Sequence, residues 1–237
     1  MLGLGGSLSG GVVLSSGVVT PDSISDLAFW FKKNTRVAAA QWDDQSGNNN
    51  HMSQDTTGNQ ASYSSGGLLF VDDNSDHYDL TTAVDIGASN AFTMVIVADL
   101  NSYDSNNVLL GDNNAADKFL DFQQIDQLRY RQSGGSAVLK FPSTDPFPIE
   151  EKFMVTVTKD TSRNLVVYKN GNVLTQESSA NNPVPSGAFE VDQIGGRSSA
   201  PDRDFDGIIF ELLLYEKLLS SEELAGIHAE IQGRNGL

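Results

Sequence analysis

The sequence predicts an all-β chain, an antiparallel β-sandwich of jelly-roll form with one short C-terminal helix. Three observations carry this. From residue 22 onward the dominant hydrophobic period is two, as in strands with one face on a core. The apolar runs are separated by clusters of Gly, Asn, Asp and Ser, the residues that turns select. Helix signals are clear in one segment, near the end.

The elements follow in order. "DLAFWFKKNT" (26–35) reads as an opening strand with aromatics. "WDDQSGNNNHM" (42–52) reads as a structural turn anchored by Trp42 pointing into the sandwich. Asp and Ser side chains there can accept from backbone N–H groups two residues on, and Gly and Asn tolerate positive φ. "AFTMVIVADL" (91–100) is apolar on both faces, as a central strand would be. "KFLDFQQ", "QLRYRQS" and "SAVLKF" form a meander, broken around Asp126 and at Ser133–Gly135. "EKFMVTVTKD" sets Phe153, Val155 and Val157, facing the core, against Met154, Thr156 and Thr158. Asn170-Gly171 is a strong hairpin signal. "FDGIIFELLLYEK" places Ile208, Phe210, Leu212 and Leu214 on one side.

The helix is expected at about 220–232. Ser220 and Glu223 make a capping box. Leu224, Ile227 and Ile231 follow at helical spacing, and Gly233 suits the C-terminal cap.

Bulk properties narrow the function. A chain of 237 residues can bury a sizeable core in one domain, here 22–237. Without cysteine there is no disulfide framework, zinc–thiolate site or cysteine nucleophile. A formal charge of −16 repels phosphate, so no nucleic-acid partner is expected. No apolar run has the length of a membrane span. Residues 1–21 carry no charge and lack the basic region of a signal peptide. Val12, Val13, Leu14, Val18 and Val19 mark this stretch as an arm that orders against another surface, by self-association or on a neighbouring protein.

The order of these landmarks resembles the laminin-G-like branch of the concanavalin A-like lectin/glucanase superfamily. The Trp42 turn is similar to the family's Trp-x-Asp-x-Ser-Gly-Asn turn. "LLFVDDNSDHYDL" (68–80), the Asn-Gly hairpin, "QIGGR" (193–197) and the final strand running into the helix follow in family order. Asp73 or Asn74 stands where the family commonly has glycine. The resemblance implies two packed sheets and, often, sugar or protein binding. A single such domain behind a Gly/Ser/Val arm also resembles bacteriophage virion structural proteins. That implies a non-enzymatic capsid-decoration, neck or tail component, assembled in the bacterial host cytoplasm and docked on other virion proteins through its arm. The alternative is a carbohydrate-binding lectin or adhesin module with a glycan ligand, calcium-assisted or not. Glycoside hydrolysis is a distant third.

Candidate residues follow from these readings. Asn48, Asn49 and Asn50 at a loop tip, with Tyr103 and Tyr130, are the sugar-contact candidates. Asp202, Asp204 and Asp206 match the first half of a calcium loop, but Leu213 stands where the closing Glu belongs. No other cofactor is expected. Glucanases of the superfamily carry Glu-x-Asp followed by a second Glu. Here Glu190 and Asp192 are followed by Ile194 and Gly195, so the pair that glycosidases need is incomplete and no catalytic residue is expected. No Gly-x-Ser-x-Gly elbow occurs, and His51, His77 and His228 lie in unrelated contexts as surface or half-buried residues.

Overall fold

The computed structural model describes residues 19–104, 106–141, 146–177, 181–197 and 203–237. The first strands are β1 (Leu27–Phe31), β2 (Arg36–Ala38), β3 (Gln41–Trp42), β4 (Met52–Ser53), β5 (Ser62–Ser64) and β6 (Gly67–Phe70). β7 (Tyr78–Asp85), β8 (Phe92–Leu100) and β9 (Val108–Asp112) follow. The meander is β10 (Ala115–Gln124), β11 (Gln127–Gln132) and β12 (Gly135–Lys140). Then come β13 (Phe153–Lys159), β14 (Leu165–Lys169), β15 (Asn172–Val173), β16 (Glu190–Ile194), β17 (Gly207–Tyr215) and the helix α1 (Ser221–Asn235).

Among the described residues these strands make two sheets. One has eight strands in the order β15-β14-β13-β8-β17-β6-β5, with β1 added on β17. The other has nine, in the order β12-β11-β10-β9-β16-β7-β4-β3-β2. Strand neighbours pair antiparallel, as expected for a sandwich. The main core lies between the sheets. Met94, Ile96, Val155 and Leu212 come from one side, and Trp42, Tyr78, Leu120 and Val191 from the other. Asn170 and Gly171 join β14 to β15 with φ of 46° and 79°, the pair of positive values a tight hairpin needs.

Several expectations change. First, β13 is buried on both faces, Met154, Thr156 and Thr158 included. A second apolar cluster lies outside the eight-stranded sheet, where Val95, Val97, Met154 and Leu213 meet Leu224, Ile227 and Ile231 of α1. The helix covers the face that alternation alone assigns to solvent.

Second, β17 changes faces midway. A bulge between Ile209 and Glu211 breaks the alternation. Ile208 and Phe210 turn to the outer cluster, and Leu212 and Leu214 to the main core. The bulge falls where β17 exchanges β6, paired at 207–209, for β1, paired at 212–215.

Third, α1 runs past Gly233 to Asn235 and is capped by Gly236 at φ 69°. Buried Glu211 draws the extra turn in. It accepts hydrogen bonds from Trp30 Nε1 at 2.7 Å, from Asn235 Nδ2 at 2.7 Å and from Arg234. The N-terminal capping box is as expected: Ser220 Oγ accepts from Glu223 N at 3.2 Å, and Glu223 accepts from Ser220 N at 2.8 Å. His228 is buried, neither at the surface nor half-buried as expected, with Nε2 2.9 Å from Thr156 Oγ1.

Val19 is half-buried against the outer cluster, its side chain over Gly226 of α1. This arm residue therefore packs on its own chain. Val12, Val13, Leu14 and Val18 lie outside the described residues.

Candidate functional site

The stretch 42–50 is built around one carboxylate. Asp44 is buried and accepts four hydrogen bonds. Its Oδ1 takes Trp30 N and Ser46 N, both at 2.8 Å, and its Oδ2 takes Ser46 Oγ at 2.6 Å and Asn50 N at 2.9 Å. Trp42 is in the main core, as expected. Asn50 is buried and clasps the Thr82 backbone, donating to its carbonyl at 2.9 Å and accepting from its N–H at 2.8 Å. Asn48 Nδ2 donates to Leu27 O at 2.5 Å. Only Asn49, at φ 57°, stands exposed without a bond of this kind. The amides of Asn48 and Asn50 thus hold their own turn. The residues also line a cavity of about 340 Å³ with Ala28, Thr82 and Glu216.

A second cavity, of about 570 Å³, shares Glu216 as a wall. Asp85, Ser89, Asn90, Lys217 and Leu218 line it. Together they form a polar groove at one end of the sandwich. Its walls come from the 42–50 turn, β7, the 85–91 loop and the β17–α1 connection.

The 85–91 loop is held from inside. Lys159 continues the inward set of Phe153, Val155 and Val157 and is fully buried. Its Nζ donates to the carbonyls of Ile86, Gly87 and Ala88, the last two at 3.2 and 3.1 Å. It lies 5.4 Å from the centroid of the Tyr130 ring. Burial lowers the Lys159 ammonium to about 8.

The groove offers hydrogen-bonding groups of both kinds. Glu216 is exposed, and its carboxylate makes no hydrogen bond or ion pair among the described residues. Asp85 commits Oδ1 to Gly87 N at 2.9 Å. Ser89, Asn90 and Thr82 are exposed beside them, and Leu218 adds an apolar surface, 47% exposed. Vicinal hydroxyls suit such carboxylates, and a C–H face suits the leucine.

The other candidates are placed elsewhere. Tyr130 is fully buried in the main core, not at the surface, and its hydroxyl donates to Ile86 O at 2.8 Å. Tyr103 is half-buried against the main core, and its hydroxyl donates to Phe147 O. Asp206 accepts from Asn101 Nδ2 at 2.9 Å and Ser102 Oγ at 2.8 Å. Asp204 is buried, Phe205 between them enters the core, and Asp202 lies outside the described residues. Among the described residues no three Asp, Glu or His side chains converge as a metal site.

Glu190 is exposed on β16, and Asp192 accepts from the Asn113 backbone and Asn114 Nδ2. The pairing of β16 with β7 is irregular between Val191 and Gln193. Burial raises the Asp192 carboxyl. His51 Nδ1 faces Asp44 N at 3.1 Å, and His77 Nδ1 faces Ser75 O at 2.8 Å; both are half-buried.

Residues missed in the sequence are Asp85, Glu216 and Lys159. Lys159 had a signal, since it falls on the inward parity of its strand. Glu216 and Asp85 lie 131 positions apart with no shared pattern.

Comparison with known proteins agrees with this architecture. The family model Laminin_G_3, described as concanavalin A-like lectin/glucanases superfamily, matches residues 72–225. No curated protein sequence matches. Among solved structures, a Trypanosoma rangeli sialidase is similar at TM-score 0.59 and 15% identity, over 89% of this chain and 34% of that one. The binding domain of Paraclostridial Mosquitocidal Protein 1 is similar at 0.59 and 14%, over 90% and 53%. The receptor binding domain of botulinum neurotoxin D is similar at 0.59 and 11%, over 90% and 54%. The chain spans about a third to a half of the length of these proteins. No helix among the described residues is long and apolar enough to cross a membrane.

Proposed function

This chain belongs to the laminin-G-like family of the concanavalin A-like lectin/glucanases superfamily, and from that premise we propose that it is a carbohydrate-binding module of lectin or adhesin type. The observation that carries the reading is the groove: Glu216 and Asp85 line one cavity with the polar groups of Ser89 and Asn90 and the apolar Leu218. Exposed acceptors on rigid walls recognise hydroxyls without needing to reorganise. The toxin domains of similar fold are binding domains by their own description, which supports a binding role.

The test is a glycan array followed by calorimetry on the full chain, with and without calcium. A neutral saccharide should bind, and Glu216→Gln and Asp85→Asn should each weaken it by about tenfold, roughly one lost charged hydrogen bond. Silence across the array in both conditions would overturn the reading.

A second reading, a virion component assembling through its arm, residues 1–21, draws on Val19. Its seat over Gly226 gives the arm a defined point of departure beside α1. Light scattering on the full chain and on a chain lacking residues 1–18 decides it. A defined oligomer that falls to a folded monomer supports assembly through the arm; two monomers count against self-assembly.

A further inference from the structure

At one edge of the sandwich the outermost strands of the two sheets border a common cleft. β5 ends the eight-stranded sheet and β2 ends the nine-stranded one. A cavity of about 360 Å³ is lined from both, by Arg36, Ala38 and Ala39 at β2 and by Tyr63 on β5. It shares no lining residue with the groove. Tyr63 is 54% exposed, and every other aromatic side chain is buried or half-buried. A chain that hides its aromatic rings so consistently leaves this one beside an opening.

The ring is held in place. Tyr63 donates its hydroxyl to Asn34 Oδ1 at 3.0 Å. Asn34 is fixed in turn, its N–H donating to Gly66 O at 2.9 Å. A Cβ at Gly66 would lie 2.5 Å from the Asn34 amide oxygen, so glycine there admits the close approach. The carbonyls beside the cleft are already taken. Arg36 donates from Nε to Ala38 O at 2.6 Å and from Nη2 to Ala61 O at 3.5 Å. Tyr78 Oη lies 2.8 Å from Ala39 O and 3.3 Å from Ala61 O. An added strand would compete for those carbonyls, so the cleft does not suit an extended peptide. Arg36 Nη1 makes no hydrogen bond or ion pair among the described residues. Ala38 and Ala39 are exposed and small, and they leave room beside Tyr63.

We propose that this cleft is a second saccharide site, where Tyr63 stacks on the C–H face of a β-linked glucose or galactose ring and Arg36 Nη1 donates to one of its hydroxyls. Tyrosine presents a large, rigid surface with few torsions to freeze. A ring already anchored through its hydroxyl loses still less freedom on binding. The cavity has the size of a small-ligand site, which starts at about 300 Å³. Arg36 commits two of its three nitrogens to the protein. The one left suits a single hydroxyl better than a two-oxygen anion, which calls for the whole fork. Asn34 is a positioning residue for the ring. The saccharide class rests on the lectin reading above; the exposed, anchored ring at the cleft does not.

The test is calorimetry and aromatic NMR on the full chain, with cellotetraose, lactose and sorbitol as probes. The Tyr63 ring signal is assigned by its loss in Tyr63→Phe. At least one of the two sugars should move that signal. Sorbitol, which has hydroxyls but no ring, should not. For calorimetry the groove is silenced with Asp85→Asn and Glu216→Gln together. In that background Tyr63→Ala should weaken the remaining binding by about tenfold or more, for loss of an aromatic contact. Tyr63→Phe keeps the ring and should stay within about threefold. Ala38→Leu fills the cleft from its other wall and should weaken binding without touching the ring. Melting temperatures close to the parent's would show that the variants fold. Equal binding with and without the Tyr63 ring overturns the proposal, as does a Tyr63 signal that neither sugar moves. Sorbitol moving the signal as far as cellotetraose overturns the saccharide half alone. A moving Tyr63 signal beside groove variants that change no affinity supports this site and sinks the groove. A still Tyr63 signal beside groove variants that weaken binding does the reverse.

Discussion

The Nζ of Lys159 lies 3.1 Å from the carbonyl oxygen of Ala88, and the contact joins the interior of the sandwich to the wall of the groove. The same ammonium also takes the carbonyls of Ile86 and Gly87. Lys159→Met keeps the stem but leaves those carbonyls without their donor. It should cost about 3 kcal/mol, since buried acceptors stripped of a charged partner are expensive. Amide exchange at 87–91 should speed up, and sugar affinity at the groove should fall. Unchanged exchange would show that the loop does not depend on the lysine.

Asp44 sets the opposite wall. Asp44→Ala removes the acceptor for Trp30 N, Ser46 N, Ser46 Oγ and Asn50 N together. Stability should drop by about 2–4 kcal/mol, as for several orphaned donors. Groove affinity should fall with it because Asn48 and Asn50 lose their fixed positions. Thermal unfolding and calorimetry on the same variant check both effects.

Glu211 fastens α1. It is buried, bonded to Trp30, Arg234 and Asn235, and burial raises its carboxyl against the pull of Arg234. Glu211→Ala should destabilise by about 3–5 kcal/mol, the usual cost of breaking a buried pair. Glu211→Gln should cost less, because the amide oxygen still accepts from Trp30. Urea melts rank the two, and equal losses would contradict the charge-pair account.

His228 makes the helix contact acid-sensitive. Burial lowers its imidazole below the ordinary 6.5. Below pH 6.5 the unfolded chain therefore binds a proton that the folded chain refuses, and stability falls with pH. His228→Gln should flatten that part of the stability–pH curve, from 6.5 down to the lowered folded value. Melting temperatures across this window provide the check.

How much of this was legible depended on distance along the chain. The Asn170-Gly171 hairpin, the Ser220–Glu223 cap and the strand periodicity are local devices, and each was found where the residues indicate. The second dry face of β13 was hidden because its cover, α1, lies more than sixty residues away. The bulge at Phe210 was hidden because it follows from a change of partner, which no single strand displays. The groove draws on segments scattered from Ala28 to Leu218. Only the folded topology brings such residues together. Turn chemistry correctly marked Asp44 and the asparagines, but turn formers and ligand contacts use the same side chains, and spacing does not tell them apart.

The place of β17 sets the order in which the protein can be made. This strand is bonded along its length to β8 and, on its other edge, first to β6 and then to β1. Its partners all leave the ribosome more than a hundred residues earlier. Until β17 emerges, Leu27–Phe31, wholly buried in the finished protein, has no strand to join. The eight-stranded sheet must therefore close only after β17 has emerged. Such late, long-range closure is slow and leaves sticky edges waiting. A nascent chain stalled before residue 207 should be bound by chaperones, and one with all of β17 and α1 outside the ribosome should not.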